Sequence, residues 1–362
     1  MTDQSDVTAR ANPDLDGHLA AEALLVSAFK SDRLPHAWMI TGPRGIGKAT
    51  LAFRFARHVL AADAGETDLF GGGTAPPRLA MAPSHKVFRQ VAACSHPDLI
   101  TIERGVNPRT GRLRGEIVIE DARRLGAFLS LTPAESGWRV AIIDAVDEMN
   151  RNAANAVLKL VEEPPAQALI LLVCHAPGMV PATIRSRCRR LALSPLTETL
   201  VVDLLGRRRP TLGRDDATVL ARLAEGSPGR ALALADHGGV GLYRELVELL
   251  GGLPALDAVA VHKFSDRLAR RGEEAAWETA VDLLGGWVSR LVINAARGRK
   301  PSDIVSGEGA IAGRLVAARG LDQWLALWEK ITDLAGRADR VNLDHKQVLL
   351  SMFTALVPSA PL

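Results

Sequence analysis

Short apolar runs alternate with longer amphipathic stretches through the first half of the chain. Each run is about as long as a buried strand and ends near a polar residue or a glycine. Four runs are predicted to be strands, at residues 36–43, 95–105, 137–144 and 168–176. The stretches between them repeat apolar residues at helical spacing, which predicts helices at residues 17–31, 47–62 and 148–165. Strands that alternate with helices indicate an α/β fold with a parallel sheet.

Two connecting stretches of this half have a less regular pattern. Residues 63–83 are rich in glycine, alanine and proline, which predicts a flexible connection. The sequence IVIEDARRLGAFLSL, residues 117–131, predicts a short strand that passes into a helix.

The pattern changes after residues 191–196, and no apolar run typical of a strand follows. The remaining sequence has helical periodicity, interrupted by glycine, proline and polar residues. The predicted breaks lie near residues 251–254, 297–303, 319–321 and 336–342. The second half is therefore predicted to be all-helical.

Composition narrows the class of protein without identifying it. The chain has 362 residues, of which 47% are hydrophobic and 23% charged, which is typical of a soluble protein of two or three domains. A net charge of +3 permits a nucleic-acid role but does not argue for one. The polar first ten residues lack the apolar core of a signal peptide, and no run suits a membrane span. We therefore expect a cytoplasmic protein with no membrane partner.

The three cysteines, Cys94, Cys174 and Cys188, are odd in number and far apart. The chain has no C-x-x-C pair, so the spacing favours neither a zinc ribbon nor a disulfide framework. We expect no zinc and a reducing compartment.

The sequence GPRGIGKAT, residues 42–50, nearly matches the phosphate-binding loop G-x-x-x-x-G-K-[ST]. Its glycines allow backbone N–H groups to wrap phosphates, and a lysine would contact the β- and γ-phosphates. A strand before the motif and a helix after it favour this interpretation over a chance glycine turn. The candidate nucleotide-binding residues of the loop are Gly42, Gly45, Gly47, Lys48, Ala49 and Thr50.

Two groups needed for hydrolysis are missing from the expected positions. Ala49 occupies the slot of the Ser or Thr that supplies a hydroxyl to Mg²⁺, and Thr50 comes one residue late. Asp144 ends a strand where an Mg²⁺-supporting carboxylate is expected, although it could also be a simple capping residue. The next residue is Ala145, where a water-activating glutamate would stand in a hydrolase. The motif predicts binding of ATP or ADP, with the role of Mg²⁺ open and turnover absent.

Four arginines fall within six residues of the segment PATIRSRCRR, residues 181–190. Such a cluster is typical of a solvated basic loop or a DNA-facing patch.

Several stretches together resemble the AAA+ clamp-loader family. They are LPHAWMITGPRGIGKATLA, SHPDLITIE, WRVAIIDAVDEMNRNAANAVLKLVEEPP, LLVCHAPGMVPATIRSRC and AEGSPGRALAL. The asparagine-rich helix that ends in EEPP and the Ser-Arg-Cys motif are more specific to clamp loaders than the phosphate-binding loop is. The resemblance is good to about residue 235 and weak beyond it.

The resemblance implies three domains. They are an AAA+ P-loop domain at residues 1–195, a helical lid at 196–238 and an all-α collar at 239–362. Family members form rings that use ATP to open a sliding clamp and close it around primed DNA. The implied partners are other loader subunits (gamma/tau and delta), with the clamp and DNA reached through the complex.

Two arginines acquire roles from the resemblance. Arg187, in Ser-Arg-Cys, corresponds to the finger that reaches the ATP of a neighbouring subunit. Arg230, in GSPGRAL, corresponds to a sensor that faces the γ-phosphate of the chain's own site. Some relatives carry a four-cysteine zinc module before HPDL, whereas this chain has only Cys94 there. Cys174 and His175 stand where active loaders have Thr or Asn.

Three functions remain open at this point. The first is a non-hydrolysing loader subunit that activates its neighbour, and the second is a hydrolysing loader ATPase of the gamma/tau type. The third is a DNA-binding adaptor with a vestigial AAA+ fold, which the modest net charge disfavours. ATP hydrolysis by the purified chain separates the second from the first.

Overall fold

The computed structural model describes residues 8–31, 33–62, 79–107, 111, 113–135, 137–299, 302–341 and 343–357. The chain forms two compact units, Met1–Leu200 and Val201–Leu362. Of the predicted flexible connection at residues 63–83, the part from residue 63 to residue 78 lies outside the described residues.

The first unit is built on a five-stranded, all-parallel sheet. Its strands are β1 (Ala37–Thr41), β2 (Leu99–Ile102), β3 (Arg139–Asp144), β4 (Ala168–Cys174) and β5 (Arg189–Ala192). The strand order across the sheet is β2-β3-β4-β1-β5, so β1 and β4 are central. Every residue of β1 and β4 is buried, as expected for strands covered on both faces. The predicted α/β class is confirmed.

Helices cover both faces of this sheet. They are α1 (Leu19–Lys30), α2 (Lys48–Ala61), α3 (Lys86–Ala92), α4 (Ile119–Leu129), α5 (Arg151–Glu162) and α6 (Ala182–Arg185). One core packs α1, α2 and α3 on one face, and a second core packs α4 and α5 on the other. The Asn150 side chain begins α5 by accepting a hydrogen bond from the Ala153 N–H at 2.9 Å. Helix α5 ends before Pro164, which cannot continue it.

The predicted strand at the start of residues 117–131 is wrong. Ile117 makes only an isolated bridge to Met149, and α4 begins at Ile119. The Asp121 carboxylate accepts a hydrogen bond from the Val118 N–H at 3.3 Å and so caps the helix start. Local capping and the apolar face of α4 outweigh the β-branched residues of the short IVI run.

Strand β5 was not predicted from the sequence. It pairs with β1 at the sheet edge, with Leu191 opposite Ile40. Of its four residues only Leu191 is buried, while Arg189 and Arg190 are exposed. An edge strand with charged, outward side chains lacks the apolar run by which the other strands were found.

Within its described residues, all the regular secondary-structure elements of the second unit are helices. Its helices are α7 (Glu198–Arg208, which begins in the first unit), α8 (Arg214–Leu223), α9 (Pro228–Asp236), α10 (Gly239–Gly251), α11 (Ala258–Leu268), α12 (Glu274–Ala296), α13 (Glu308–Ala318), α14 (Leu321–Val341) and α15 (His345–Leu356). The division of this half into a lid at 196–238 and a collar at 239–362 stays a prediction.

The helix break expected at residues 336–342 is placed too early. Helix α14 continues through Gly336 to Val341. A glycine inside a helix costs only about 1 kcal/mol, and the buried Ala338 keeps the apolar face of α14 continuous past it. The other expected breaks coincide with gaps between helices.

A buried ion pair ties α1 to α2 behind the phosphate-binding motif. Arg54 Nε donates to Glu22 Oε1 at 2.7 Å, and the two side chains are 5% and 2% exposed. Arg54 also donates to the Pro13 carbonyl, and Arg57 donates to the Asn12 carbonyl at 2.9 Å. The segment before α1 is therefore held on α2 by buried arginines.

Glu22→Gln is expected to lower the free energy of unfolding by about 3 kcal/mol, because it leaves the Arg54 charge buried without its counterion. Urea unfolding followed by circular dichroism measures this loss. Glu135→Gln is the matched control, since it breaks the exposed Lys86–Glu135 pair and should leave the midpoint unchanged. Equal midpoints for Glu22→Gln and the wild type would show that Arg54 finds other partners.

Candidate functional site

The predicted phosphate-binding loop connects the carboxyl end of β1 to the first turn of α2. Gly45 and Gly47 have φ of 75° and 100°, which side-chain-bearing residues rarely adopt. A Cβ on Gly47 would lie 2.7 Å from Leu15 Cδ1, so the loop is also closely packed. No side chain caps α2 at Gly47. The first N–H groups of a 14-residue helix thus remain available to an anion.

Lys48 is buried at the base of this loop and is 3% exposed. Its Nζ donates hydrogen bonds to the Gly42 carbonyl at 2.7 Å and the Pro43 carbonyl at 2.5 Å. Burial lowers the pKa of the Lys48 ammonium to about 8, although the negative charges of Asp144 and Asp147 raise it. A phosphate group would supply negative charge to an ammonium that now has only neutral acceptors.

Asp144 ends β3, in the position that the motif predicted. Burial raises the pKa of its carboxyl group to about 6, with a further rise from the Glu103 charge, while Lys48 lowers it. Burial disfavours the charged form of both groups, and the charge of each partly offsets that cost for the other. The structure brings the loop and Asp144 together.

The two carboxylates after Asp144 have structural partners, which the sequence did not indicate. Asp147 accepts hydrogen bonds from the backbone N–H groups of His175 at 2.8 Å and Ala176 at 3.0 Å. Glu148 pairs with Arg104 at 2.8 Å and with Arg44 of the loop. These two hydrogen bonds to Asp147 hold the carboxyl end of β4 beside the loop.

His175 follows β4 at the same edge of the sheet. Burial and the positive charges of Lys48 and Arg44 lower the pKa of its imidazole to about 4. Its Nδ1 is buried without a hydrogen-bond partner among the described residues. The imidazole is therefore neutral at physiological pH.

The residues at this site fit a nucleotide better than they fit a metal ion. The glycine loop, the N-terminus of α2 and Lys48 are the groups that would hold phosphates. Ala49 is half-buried against the core and carries no hydroxyl, while Thr50 is buried. Among the residues predicted to bind nucleotide, Asp144 is therefore the one that still offers an oxygen ligand for Mg²⁺.

Arg187 lies just beyond α6, on a different element from the loop. Its side chain is 43% exposed and pairs with Glu162 of α5 at 2.9 Å. It also donates to the Thr183 carbonyl at 3.1 Å. Burial raises the pKa of the neighbouring Cys188 thiol to about 12, so that residue remains uncharged. The guanidinium of Arg187 is held at the surface by contacts within its own unit.

Arg230 belongs to the second unit and lies in the first turn of α9. Its Nε and one terminal nitrogen donate to Asp282 Oδ2 of α12 at 3.2 and 2.8 Å. Ser227 caps the helix by accepting from the Arg230 N–H at 3.2 Å. The guanidinium predicted to sense phosphate is therefore bonded to a carboxylate here.

Among the described residues, no three His, Cys, Asp or Glu side chains are arranged to hold a metal ion. The absence of zinc stays a prediction. In the same part of the chain, no helix is long and apolar enough to cross a membrane.

Residues 17–197, half of the 362-residue chain, match the family described as DNA polymerase III, delta subunit. The DNA polymerase III subunit delta' of Pseudomonas aeruginosa is 30% identical over 203 residues, which are 56% of this chain and 56% of that protein. The tau/gamma subunit of Haemophilus influenzae is 31% identical over 217 residues, which are 59% of this chain and 28% of that protein. The chain spans about half the length, or less, of these curated relatives.

A solved structure of a DNA polymerase III, gamma subunit-related protein from Thermotoga maritima superposes on this chain with a TM-score of 0.40 and 16% identity. The superposition covers 92% of this chain and 98% of that one. A TM-score at this level supports no functional conclusion.

Asp144→Asn is expected to lower the pKa of Lys48 below about 8, because it removes the negative charge that most favours the ammonium. The ¹³Cε resonance of Lys48, assigned by its loss in Lys48→Arg, reports this pKa in an NMR titration. Glu120→Gln, on the exposed side of α4, is the control and should leave the titration unchanged. An unchanged pKa in Asp144→Asn would mean that the two groups do not interact.

Proposed function

The chain belongs to the DNA polymerase III delta-subunit family of clamp-loader proteins, and we propose that it acts there as a non-hydrolysing subunit of the delta-prime type. In this role it binds other loader subunits, gamma/tau and delta, in the cytoplasm. It supports loading of the sliding clamp onto primed DNA, reaching the clamp and the DNA through the complex. It also supplies an arginine finger to a neighbouring ATPase subunit.

One observation carries the non-hydrolysing part of the proposal: in the described part of the chain, the two carboxylates that follow Asp144 beside the loop already have hydrogen-bond partners. Ala145, in the position expected for such a group, is 2% exposed and has no polar side chain. Asp147 is engaged by two backbone N–H groups, and Glu148 by two arginines. A general base must reach the attacking water directly or through one other water, and these carboxylates have other hydrogen-bond partners.

Nucleotide binding without turnover requires only the groups that remain. The N–H groups from Gly45 to Lys48 would surround the β-phosphate, and Lys48 would leave the Gly42 and Pro43 carbonyls to contact phosphate oxygens. Asp144 could support Mg²⁺, which neutralises phosphate charge when it is bound. Ala49 weakens that metal contact, so ADP or ATP binding is expected to depend little on Mg²⁺.

Arg187 is proposed to act on the nucleotide of the neighbouring subunit. A guanidinium presents a planar set of donors, and such fingers contribute about 10³–10⁵ in rate in other phosphoryl-transfer systems. Its exposed position just beyond α6 and its pairing with Glu162, itself partly exposed, support this role. An exposed pair of this kind is worth about 0–1 kcal/mol, so the arginine can exchange Glu162 for a phosphate at little cost.

Arg230 is proposed to sense the chain's own nucleotide, as the resemblance implied. That role requires it to release Asp282, which is more than half exposed. A phosphate with greater negative charge is the stronger partner for a guanidinium.

The alternative is a hydrolysing ATPase of the gamma/tau type, which the similarity to a tau/gamma subunit keeps open. The two functions differ in what the purified chain does with ATP. An ATPase of the gamma/tau type hydrolyses ATP, whereas the proposed delta-prime-type subunit only binds it.

Arg187→Ala is expected to reduce DNA-stimulated ATP turnover of a reconstituted loader by at least about tenfold, or ~1.4 kcal/mol of barrier. Arg185→Ala, which removes an exposed arginine two residues away, is the matched control and should keep full turnover. Gel filtration must show an intact complex in both cases. Full turnover in an assembled Arg187→Ala loader would refute the finger.

Lys48→Ala is expected to weaken ADP binding by the purified chain at least about tenfold in calorimetry, because it removes the buried ammonium from the loop. Ala49→Ser should add an Mg²⁺-dependent increase in affinity by restoring a hydroxyl ligand. Measurable ATP hydrolysis by the wild-type chain that is lost in Lys48→Ala would favour the hydrolysing gamma/tau-type ATPase instead. Absence of binding in the wild type would leave a purely structural loop.

A further inference from the structure

A groove of about 420 Å³ runs along the β2 edge of the sheet. Its floor is β2 with the residues that follow it, 99–105. One wall is the end of α3, and the other is α4 with Asp121 and Arg124. Of its lining residues, Glu103 raises the pKa of Asp144 and Arg104 pairs with Glu148. Thr101 and Arg124 have no role in the nucleotide chemistry proposed above.

The floor of the groove presents backbone groups that have no partner strand in the described part of the chain. The Val140 N–H donates to the Asp98 carbonyl at 2.9 Å, which starts the parallel ladder between β2 and β3. This ladder directs the N–H and C=O of Ile100 and Ile102 toward β3. The Leu99 carbonyl and both backbone groups of Thr101 therefore point into the groove. An edge of this kind is a template for one more strand.

The side chains around this edge are suited to an extended chain. Ile102 is buried in one core, while Leu99 and Ile100 are half-buried and give the groove apolar contact surface. In an added strand, alternate side chains would face these residues and the intervening ones would face the rim.

The rim of the groove favours acidic side chains. Three arginines line it against two carboxylates, and the lining residues are Arg10, Arg104, Arg124, Glu103 and Asp121. Arg10 pairs with Glu103, and Arg104 with Glu148. Arg124 is 69% exposed and lies 4.0 Å from Asp121, whose other oxygen accepts the Val118 N–H. Arg124 is therefore the rim cation most able to take a new partner.

We propose that the β2 edge binds an extended acidic segment of a partner protein as a sixth strand of the sheet. Main-chain hydrogen bonds to Thr101 provide the affinity, as in other cases of β-strand addition. The exposed Arg124, which lies 4.0 Å from its partner Asp121, favours acidic over basic segments. The inference does not depend on nucleotide binding or on the arginine finger.

The test is fluorescence anisotropy of the full chain with a labelled peptide of alternating glutamate and valine, seven residues long. The same peptide with lysine in place of glutamate is the charge control. Arg124→Glu should weaken binding of the acidic peptide at least about tenfold. Arg123→Glu, on the same helix but outside the groove, has the same net charge and should bind as the wild type does.

Thr101→Pro tests the backbone contact separately. The Thr101 N–H faces away from β3, so proline removes the docking donor without removing a ladder hydrogen bond. It should abolish binding while the circular dichroism spectrum stays unchanged. If this variant misfolds, the Arg124→Glu and Arg123→Glu pair still decides the question.

Three results would overturn the proposal. The first is that the acidic peptide does not saturate the chain up to about 1 mM, a range that detects even weak complexes. The second is that the basic peptide binds as tightly as the acidic one. The third is that Arg124→Glu and Arg123→Glu bind the acidic peptide with equal affinity. A chain that dimerises in sedimentation, with Thr101→Pro monomeric, would assign the edge to a second copy instead.

Discussion

The parallel arrangement of five buried strands is the constraint on which the rest of the first unit depends. Parallel strands end at the same edge, so residues far apart in sequence meet there. Thr41 lies opposite Cys174, and Asp144 lies opposite Val173. This register puts the glycine loop, Asp144 and the His175 turn side by side. Burial of the apolar strands β1 and β4 thus fixes the positions of these charged groups. Their closeness follows from the packing of the sheet and is not needed for its stability.

Those charged groups are poorly solvated, and this determines their chemistry. The opposite pKa shifts of Lys48 and Asp144 arise from burial, and each is limited by the charge of the other. Glu148, paired with Arg44 and Arg104, links the loop to the segment after β3. The proposed function rests on this arrangement: Lys48 and the loop would receive phosphate charge, while Asp147 and Glu148 already have partners. That combination is the physical argument for proposing nucleotide binding without hydrolysis.

The two edges of the sheet in the first unit present different surfaces. Strand β5 and the turn before it expose arginines, including Arg187, at one edge. At the other edge, β2 exposes backbone groups and the Arg124 side chain. The central strands are unavailable because helices cover them on both faces. In the two proposals, one edge of the sheet would contact a phosphate and the other an extended chain.

The sequence alone determined the class of the fold and the chemical content of the site. Apolar runs located four of the five strands, and the motif at residues 42–50 identified Lys48 together with the missing hydroxyl at Ala49. These features are local, so periodicity and spacing report them directly. Strand β5 and the start of α4 were not predicted correctly, since edge exposure and a capping carboxylate outweighed local propensity. Only the tertiary structure decided which partners the charges have: Glu22 for Arg54, Glu162 for Arg187 and Asp282 for Arg230. Such pairs join residues that are tens of positions apart, and their geometry follows from packing between elements, which no local pattern encodes.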